Sequence, residues 1–178
     1  KHRRRQRQMC IRDRGKVAVI TGSSLGIGAE AAKKITALGG RVTINYSKSK
    51  EAAEEVAHKC SQLGKSPLII KSDIATDEGC KHLIDKAFGE FNAINILINN
   101  AGRTKFADHS NLEALQRDDF ENILALNLNS NYELIKYARP HLARNKKSSI
   151  VNISSVAGLR GMGSSIAYAA SKGALNSM

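Results

Sequence analysis

Short apolar runs alternate with longer stretches of helical spacing along most of this chain, and this alternation restricts the possible folds more than any other feature. The first run, at 16–21, is continuously apolar and rich in Val and Ile, as in a strand that helices cover on both sides. Strands separated by helices of about 10–15 residues form right-handed βαβ units and a parallel sheet. The sequence therefore predicts an α/β fold, a Rossmann-type doubly wound parallel sheet in three αβα layers, with strands at 16–21, 41–46, 67–72, 94–99 and 148–154.

Helices are predicted between and after these strands. They run from a glycine-rich turn to Leu38, over 49–63 and 76–88, over 112–143 with a break, and from about Ser165 to Met178. The usual dinucleotide-binding sheet has six strands, and this pattern supplies fewer. We therefore expect the fold to be incomplete at its C-terminal side.

The net charge of +12 is concentrated at the start of the chain. Residues 1–14 contain seven basic residues and one acidic residue, which is half of that charge. A basic tail is typical of nucleic-acid binding, and Arg-rich, acid-poor segments also occur in transit peptides, although this one lacks serine and an apolar face. A third interpretation explains the wording itself, because Arg4 to Arg14 matches the in-frame translation of a transposase sequencing adapter.

We therefore treat residues 1–14 as an extraneous basic segment and exclude it from the fold and from function. The rest of the chain carries an ordinary charge for a domain, so no nucleic-acid partner is predicted. No run approaches the length of a membrane helix, so no membrane partner is predicted either. Cys60 and Cys80 fall on helical apolar stripes and match no metal motif, which indicates buried thiols in a reducing, cytoplasmic setting.

The first predicted strand leads into a glycine-rich turn, Thr21 to Gly28, and then into a helix. A turn of this kind lets backbone N–H groups approach a pyrophosphate, and the helix N-terminus adds a favourable dipole. Gly22 would permit the turn, Gly26 the approach of the ligand, and Gly28 close packing of helix on strand. The spacing differs from the commonest dinucleotide fingerprint, and a plain glycine-rich connection is the alternative.

The end of the second strand favours NADP over NAD. NAD enzymes place an acidic residue there to bind the ribose 2′-hydroxyl, but here no acid follows Tyr46 until Glu51, which is already in the helix. Lys48 and Lys50 could instead meet a 2′-phosphate, or they could form a solvated helix start.

A tyrosine and a lysine lie four residues apart in the last predicted helix. Tyr168 and Lys172 therefore share one face of it, and Ser154 and Ser155 follow the fifth strand, at the sheet edge where α/β folds bind ligands. A nearby ammonium favours the phenolate form of a tyrosine, which suits acid–base chemistry. A surface pair without function is the alternative.

Taken together, these motifs resemble the short-chain dehydrogenase/reductase family from Gly15 to Met178. The wording is most similar to the branch of 3-oxoacyl-carrier-protein reductases and glucose dehydrogenases. The resemblance rests on the turn at 21–28, Asn-Asn-Ala-Gly at 99–102, an asparagine at Asn127, a serine thirteen residues before the tyrosine, and Tyr-x-x-x-Lys.

The resemblance implies roles for the catalytic residues Asn127, Ser155, Tyr168 and Lys172. Tyr168 would be the general acid or base, and Lys172 would favour its phenolate form and bind the nicotinamide ribose. Ser155 would bind the substrate oxygen, and Asn127 would hold a water in a proton relay. The residues implied in cofactor binding are Thr21, Gly22, Ser24, Gly26, Ile27, Gly28, Tyr46, Ser47, Asp73, Ile74, Asn100, Ala101, Gly102, Tyr168 and Lys172.

Asp73 has two interpretations. By residue type it suits a turn or a helix cap after the third strand, and the resemblance adds a contact with the adenine amine. The predicted function is thus an oxidoreductase that transfers a hydride between NADPH and a carbonyl or alcohol substrate, without a metal, in residues 15–178 as a truncated dinucleotide-binding catalytic domain. For the full-length protein the family also implies a homo-oligomer, a dimer or tetramer. A dinucleotide-binding fragment without turnover and a nucleic-acid binder are the alternatives.

Overall fold

The computed structural model describes residues 15–178, and the basic segment 1–14, interpreted above as an adapter translation, lies outside the described residues. Within them, a single sheet forms in which every neighbouring pair of strands is parallel. Its strands are β1 (Val17–Ile20), β2 (Arg41–Tyr46), β3 (Leu68–Lys71), β4 (Ile96–Asn99) and β5 (Ser149–Asn152), in the spatial order β3-β2-β1-β4-β5. This is the doubly wound order, so the predicted α/β fold is confirmed.

The helices follow the predicted pattern except in the middle of the chain and just after β5. They are α1 (Gly26–Ala37), α2 (Lys50–Leu63), α3 (Asp77–Phe91), α4 (Arg117–Leu124), α5 (Ser130–Leu142), α6 (Ala157–Arg160) and α7 (Ile166–Ser177). The predicted helix 112–143 is interrupted at 115–116, between a 3₁₀ turn, Leu112–Ala114, and α4, whereas α4 continues through a π-helical segment, Ala125–Asn129, into α5. The short α6 has no predicted counterpart, because four residues are too few to show a helical period.

Two hydrophobic cores lie on opposite faces of the sheet. One core packs α1 and α2 against Ala18 and Ile20, and the other packs α3 and α5 against Val19 and Leu97. Successive residues of a strand point to opposite faces, so one short run can supply both cores. This arrangement confirms the predicted three layers.

Both cysteines outside the basic segment belong to these cores. Cys60 on α2 and Cys80 on α3 are fully buried and unpaired, as their helical stripes predict. Burial raises the pKa of the Cys80 thiol to about 12.

The sheet order also positions a site. β1 and β4 are neighbours at the centre, and the chain order reverses between them, which in open α/β sheets opens a crevice at the carboxyl ends of the strands. The edge strand β5 is less covered, with Ile150 43% and Val151 42% exposed. No helix among residues 15–178 is long and apolar enough to cross a membrane.

Candidate active site

The glycine-rich turn between β1 and α1 has the backbone shape of a phosphate loop. Gly22 and Gly26 both have a φ of +56°, in the left-handed region that favours glycine. A Cβ on Gly28 would lie 2.6 Å from Asn100 Nδ2 and 3.0 Å from the Gly22 carbonyl oxygen, so this position has no room for a side chain. The turn thus brings its backbone and the N-terminus of α1 to the crevice, where they can bind an anionic group.

Thr21 and Asn100 join the ends of β1 and β4. Thr21 Oγ1 accepts hydrogen bonds from the backbone N–H groups of Asn100 and Ala101 at 2.9 and 3.0 Å. In return, Asn100 Nδ2 donates to the carbonyl oxygens of Thr21 and Gly22 at 2.9 and 3.0 Å. Thr21 is buried, and its hydrogen bonds hold the residues after β4 against the end of β1, whereas Asn100 also faces the crevice.

A cavity of about 240 Å³ opens at the carboxyl ends of β1, β2 and β4, and we call it the β2-side cavity. Most of the predicted cofactor-binding residues line it, namely Gly22, Ser24, Tyr46, Ser47, Asp73, Ile74, Asn100, Ala101 and Gly102. Among the described residues of its wall, Lys48 and Arg103 are cations and Asp73 carries the sole carboxylate. The cavity therefore suits a ligand with negative charge.

The two lysines after β2 differ in position. Lys48 lines the β2-side cavity, which is the position expected of a lysine that binds a 2′-phosphate. Lys50 instead pairs with Glu54 at 3.5 Å on the surface of α2, which is the solvated helix start of the alternative interpretation. Asp73 lines the cavity and also accepts a hydrogen bond from the Ala75 N–H at 3.1 Å, so it forms the turn that its residue type indicates.

A second cavity of about 500 Å³ adjoins the first, and we call it the Tyr168 cavity. The predicted residues Gly26, Ile27, Asn100, Gly102, Tyr168 and Lys172 line it. Asn100, Gly102 and Arg103 line both cavities, so the two are neighbours. No carboxylate of residues 15–178 lines the Tyr168 cavity, and its apolar wall includes Leu25 and Phe106.

Lys172 lies buried beneath this cavity, with 4% of its surface exposed. Its Nζ donates a hydrogen bond to the Ile153 carbonyl oxygen at 2.7 Å and lies 5.8 Å from the Tyr168 ring centroid. Burial lowers the pKa of the ammonium, because a low-dielectric surrounding disfavours its charge. Tyr168 and Lys172 lie on α7, whose first turn is capped by Ser165. The sequence-predicted pair is therefore brought together at the crevice.

Asn127 is fully buried in the π-helical segment, behind the cavity rather than in its wall. Its Oδ1 accepts from the Arg103 N–H at 2.8 Å, and its Nδ2 donates to the Arg103 carbonyl oxygen and to Ser171 Oγ, each at 3.0 Å. Ser171 Oγ in turn donates to the Tyr168 carbonyl oxygen at 2.7 Å. The asparagine side chain thus ties the loop after β4 to the helix that carries Tyr168.

The two candidate serines are placed differently from the expectation. Ser154 lines the Tyr168 cavity, and its Oγ donates to Asn176 Oδ1 at 2.6 Å. Ser155 is absent from the described wall of that cavity, and its Oγ accepts from the Ala157 N–H at 3.2 Å at the start of α6. The structure therefore groups Tyr168 and Lys172 with Asn127 behind them, and it leaves the Ser155 hydroxyl directed at backbone.

Comparison with known proteins identifies the family. Residues 16–178 match the family described as short chain dehydrogenase. The chain belongs to the short-chain dehydrogenase family. The expected resemblance is thus confirmed over nearly all of the described residues.

Individual members of the short-chain dehydrogenase family are similar to this chain in sequence and structure. The 3-oxoacyl-acyl-carrier-protein reductase of Staphylococcus aureus is 31% identical over 157 residues, which are 88% of this chain and 63% of that protein. A short chain dehydrogenase from Burkholderia cenocepacia in complex with NADP has a TM-score of 0.85 and 34% identity, and the match covers 92% of this chain and 65% of that one. The NADH-dependent reductase A1-R' complexed with NAD has the same TM-score and 29% identity, over 95% and 72% of the two chains. The chain spans about three fifths of the length of the curated relatives it matches.

Sequence reasoning did not identify three residues that shape the site of this short-chain dehydrogenase. Asn45 is buried, with 2% of its surface exposed. Its side chain accepts a hydrogen bond from the Gly22 N–H at 3.2 Å and donates one to the Ser72 carbonyl oxygen at 3.1 Å. The signal that could have identified Asn45 is an amide side chain within a predicted buried strand. Arg103 directly follows the Asn-Asn-Ala-Gly motif. Ser171 has no local signal, because its partner Asn127 is far away in sequence.

Proposed function

We propose that this short-chain dehydrogenase transfers a hydride between a nicotinamide dinucleotide, NADPH in preference to NADH, and a carbonyl or alcohol substrate. The observation that carries the proposal is that a phenol and a buried ammonium share a cavity that adjoins the phosphate loop through Asn100, Gly102 and Arg103. A dinucleotide fits this arrangement, since its halves can occupy the two cavities while the glycine-rich turn binds the phosphates between them. When bound, the cofactor supplies or accepts the hydride.

Tyr168 handles the proton in this proposal. In reduction its O–H bond breaks and the proton goes to the substrate oxygen, and in oxidation the phenolate takes the proton back. The Lys172 ammonium stabilises the negative charge that remains on the Tyr168 oxygen. Since one Nζ–H is used by the Ile153 carbonyl, the other two can bind the phenolate and a cofactor ribose hydroxyl.

Asn127 and Ser155 have different tasks. Asn127 holds the Arg103 backbone and, through Ser171, the α7 backbone at Tyr168, so it positions the acid–base residue. Ser155 would stabilise the substrate oxygen, an oxyanion-type contribution. The Ser155 Oγ accepts from the Ala157 N–H, so its own O–H remains available as the donor to that oxygen.

Turnover is tested by NADPH oxidation at 340 nm with a panel of β-keto esters and simple ketones. At saturating NADPH, Tyr168→Phe should lower the rate at least about 100-fold, the usual size of a general acid–base contribution. Tyr137→Phe is the matched control, because this tyrosine donates to Asp77 on α3 and lines neither cavity. A Tyr168→Phe variant that turns over like the parent would refute the acid–base role.

Cofactor preference is tested by equilibrium binding. We expect tighter binding of NADPH than of NADH, because Lys48 lines the β2-side cavity and no carboxylate follows Tyr46 before the helix. Lys48→Ala should weaken NADPH about tenfold and leave NADH unchanged. Lys50→Ala is the control, since Lys50 pairs with Glu54. Equal affinities, or a preference for NADH, would contradict the proposal.

Dinucleotide binding without turnover is a second candidate, favoured by the position of Ser155 outside the described wall of the Tyr168 cavity. It predicts that NADPH binds with the affinity pattern above while the carbonyl panel gives no oxidation. Oxidation that depends on Tyr168 would eliminate this candidate.

The setting of the enzyme completes the proposal. The unpaired buried thiols of Cys60 and Cys80 fit a cytoplasmic location, and Tyr132, 58% exposed on α5, fits a homo-oligomer, a dimer or tetramer. Light scattering of the full-length protein that gives a monomer would overturn the oligomer. If residues 15–178 are the dinucleotide-binding catalytic domain, deleting residues 1–14 should leave the affinity for NADPH unchanged. We propose no nucleic acid as a partner of this domain.

A further inference from the structure

Arg103 occupies the place where the two cavities meet. It lines both the β2-side cavity and the Tyr168 cavity. Lys48, the other cation of the β2-side cavity, lines that cavity alone. A ligand that extends from one cavity into the other therefore passes Arg103 at its middle and meets Lys48 at one end.

The backbone of Arg103 is held rigidly at that junction. Both its N–H and its carbonyl oxygen bond to the side-chain amide of Asn127, at 2.8 and 3.0 Å. Asn127 is fully buried and is itself bonded to Ser171 on α7. The Arg103 side chain thus starts from a fixed point, which lowers the entropy cost of binding a ligand there.

The Arg103 guanidinium has no protein partner within residues 15–178, where it forms no ion pair or side-chain hydrogen bond. The nearby carboxylate of Asp119 is bound to Lys105 at 2.6 Å instead. Arg103 lines the Tyr168 cavity together with Gly26 and Ile27 of the glycine-rich turn. An exposed guanidinium with no partner among residues 15–178 is available to bind an anion, and its planar donors suit phosphate oxygens.

We propose that Arg103 is a cofactor-binding residue that contacts the diphosphate of the dinucleotide. NADPH has two separate anionic groups, and the part of the β2-side cavity wall that the structure describes has two cations, neither of which forms an ion pair within residues 15–178. Lys48 lies after β2 and suits the 2′-phosphate, whereas Arg103 lies at the junction, beside the turn that suits the diphosphate. The inference rests on the proposed function for the identity of the ligand, but it does not require turnover.

The test measures dissociation constants of the full chain for NADPH, NADH, ADP-ribose and adenosine 2′-monophosphate. Arg103→Ala should weaken the first three by the same factor, about tenfold or more for a charge-assisted contact, and leave adenosine 2′-monophosphate unchanged. Lys48→Ala should do the reverse, weakening NADPH and adenosine 2′-monophosphate and sparing NADH. Arg103→Lys should recover part of the loss, because it keeps the charge without the planar fork.

Arg117→Ala is the matched control, because Arg117 is also exposed but lines neither cavity. Unchanged circular dichroism of Arg103→Ala shows that the variant is folded, as expected for a side chain without protein partners. Unchanged affinity for NADPH and NADH, or weakened binding of adenosine 2′-monophosphate, overturns the assignment. An effect confined to the KM of an anionic carbonyl substrate also overturns it, since Arg103 would then bind substrate. Specific loss of ADP-ribose binding in a chain that transfers no hydride would sustain this inference while the proposed function fails.

Discussion

Replacing Gly28 by alanine should destabilise the domain, although alanine is the better helix former. The new Cβ would lie 2.6 Å from Asn100 Nδ2, so the Asn100 amide has to retreat by several tenths of an ångström. That movement breaks its hydrogen bonds to the Thr21 and Gly22 carbonyl oxygens. Two such bonds contribute about 1–3 kcal/mol, and the contact of the Cβ with the Gly22 carbonyl oxygen at 3.0 Å adds strain. Since alanine recovers at most about 1 kcal/mol of helix propensity, we expect a net loss of about 1–2 kcal/mol.

Gly89→Ala is the control for this change. Gly89 lies on the exposed side of α3, and beyond its own helix no described atom is within 4 Å of where its Cβ would be. Here the propensity gain stands alone, so the variant should be more stable by about 0.5–1 kcal/mol. The two substitutions have the same chemistry and differ only in what the new methyl group contacts.

Urea unfolding followed by circular dichroism measures the two free energies of unfolding, and fluorescence titration measures NADPH binding. Gly28→Ala should unfold at lower urea and bind NADPH more weakly, because Asn100 shapes both cavities. If Gly28→Ala is as stable as Gly89→Ala and binds NADPH like the parent, the close approach of Asn100 to α1 is not what the glycine serves.

Two further predictions concern buried titratable groups. Because burial lowers the pKa of Lys172 in the folded protein, the unfolded chain binds more protons between that lowered pKa and the ordinary 10.5. The parent should therefore gain stability relative to Lys172→Met as the pH rises through that window, by at most about 1.4 kcal/mol per pH unit. Urea midpoints of both chains between pH 7 and 10.5 measure this difference in stability, and parallel curves would contradict the prediction. The pKa of Cys80 is raised to about 12 and its side chain is fully buried. Iodoacetamide at pH 8 should therefore alkylate Cys80 in urea but not in the native protein, as measured by peptide mass spectrometry. Rapid labelling of the native protein would refute the buried position of Cys80.

The secondary structure could be predicted where it depends on local patterns. The apolar runs around Val17–Ile20 and Ile96–Asn99 are continuous because the sheet is covered on both faces. Ser165 marks the start of α7, since its side chain caps the Tyr168 N–H. The π-helical segment could not be located in advance, because no local pattern of the sequence distinguishes it from the α-helices on either side, and the residue that its Asn127 contacts, Arg103, lies far away in sequence.

Some residues of the candidate site could also be predicted from local patterns, and others could not. Tyr168 and Lys172 could be paired from their spacing on one helix, and the glycines of the turn from their place between strand and helix. The orientation of the Ser155 side chain was not predictable, because the folded loop determines which backbone N–H group lies within hydrogen-bond distance of its oxygen. Arg103 and Asn45 acquire their importance from neighbours that lie more than twenty residues away in sequence.

The sequence by itself determined the parallel α/β architecture, the phosphate loop and the Tyr–Lys pair, since each is encoded in residues close together along the chain. The tertiary structure decided which residues come together at the crevice: Asn127 with Arg103 and Ser171, Lys48 rather than Lys50 in the wall of the β2-side cavity, and Ser154 in the wall of the Tyr168 cavity. The reason is that the parallel sheet places β1 beside β4, and contacts near that junction join segments whose separation in sequence carries no periodic signal.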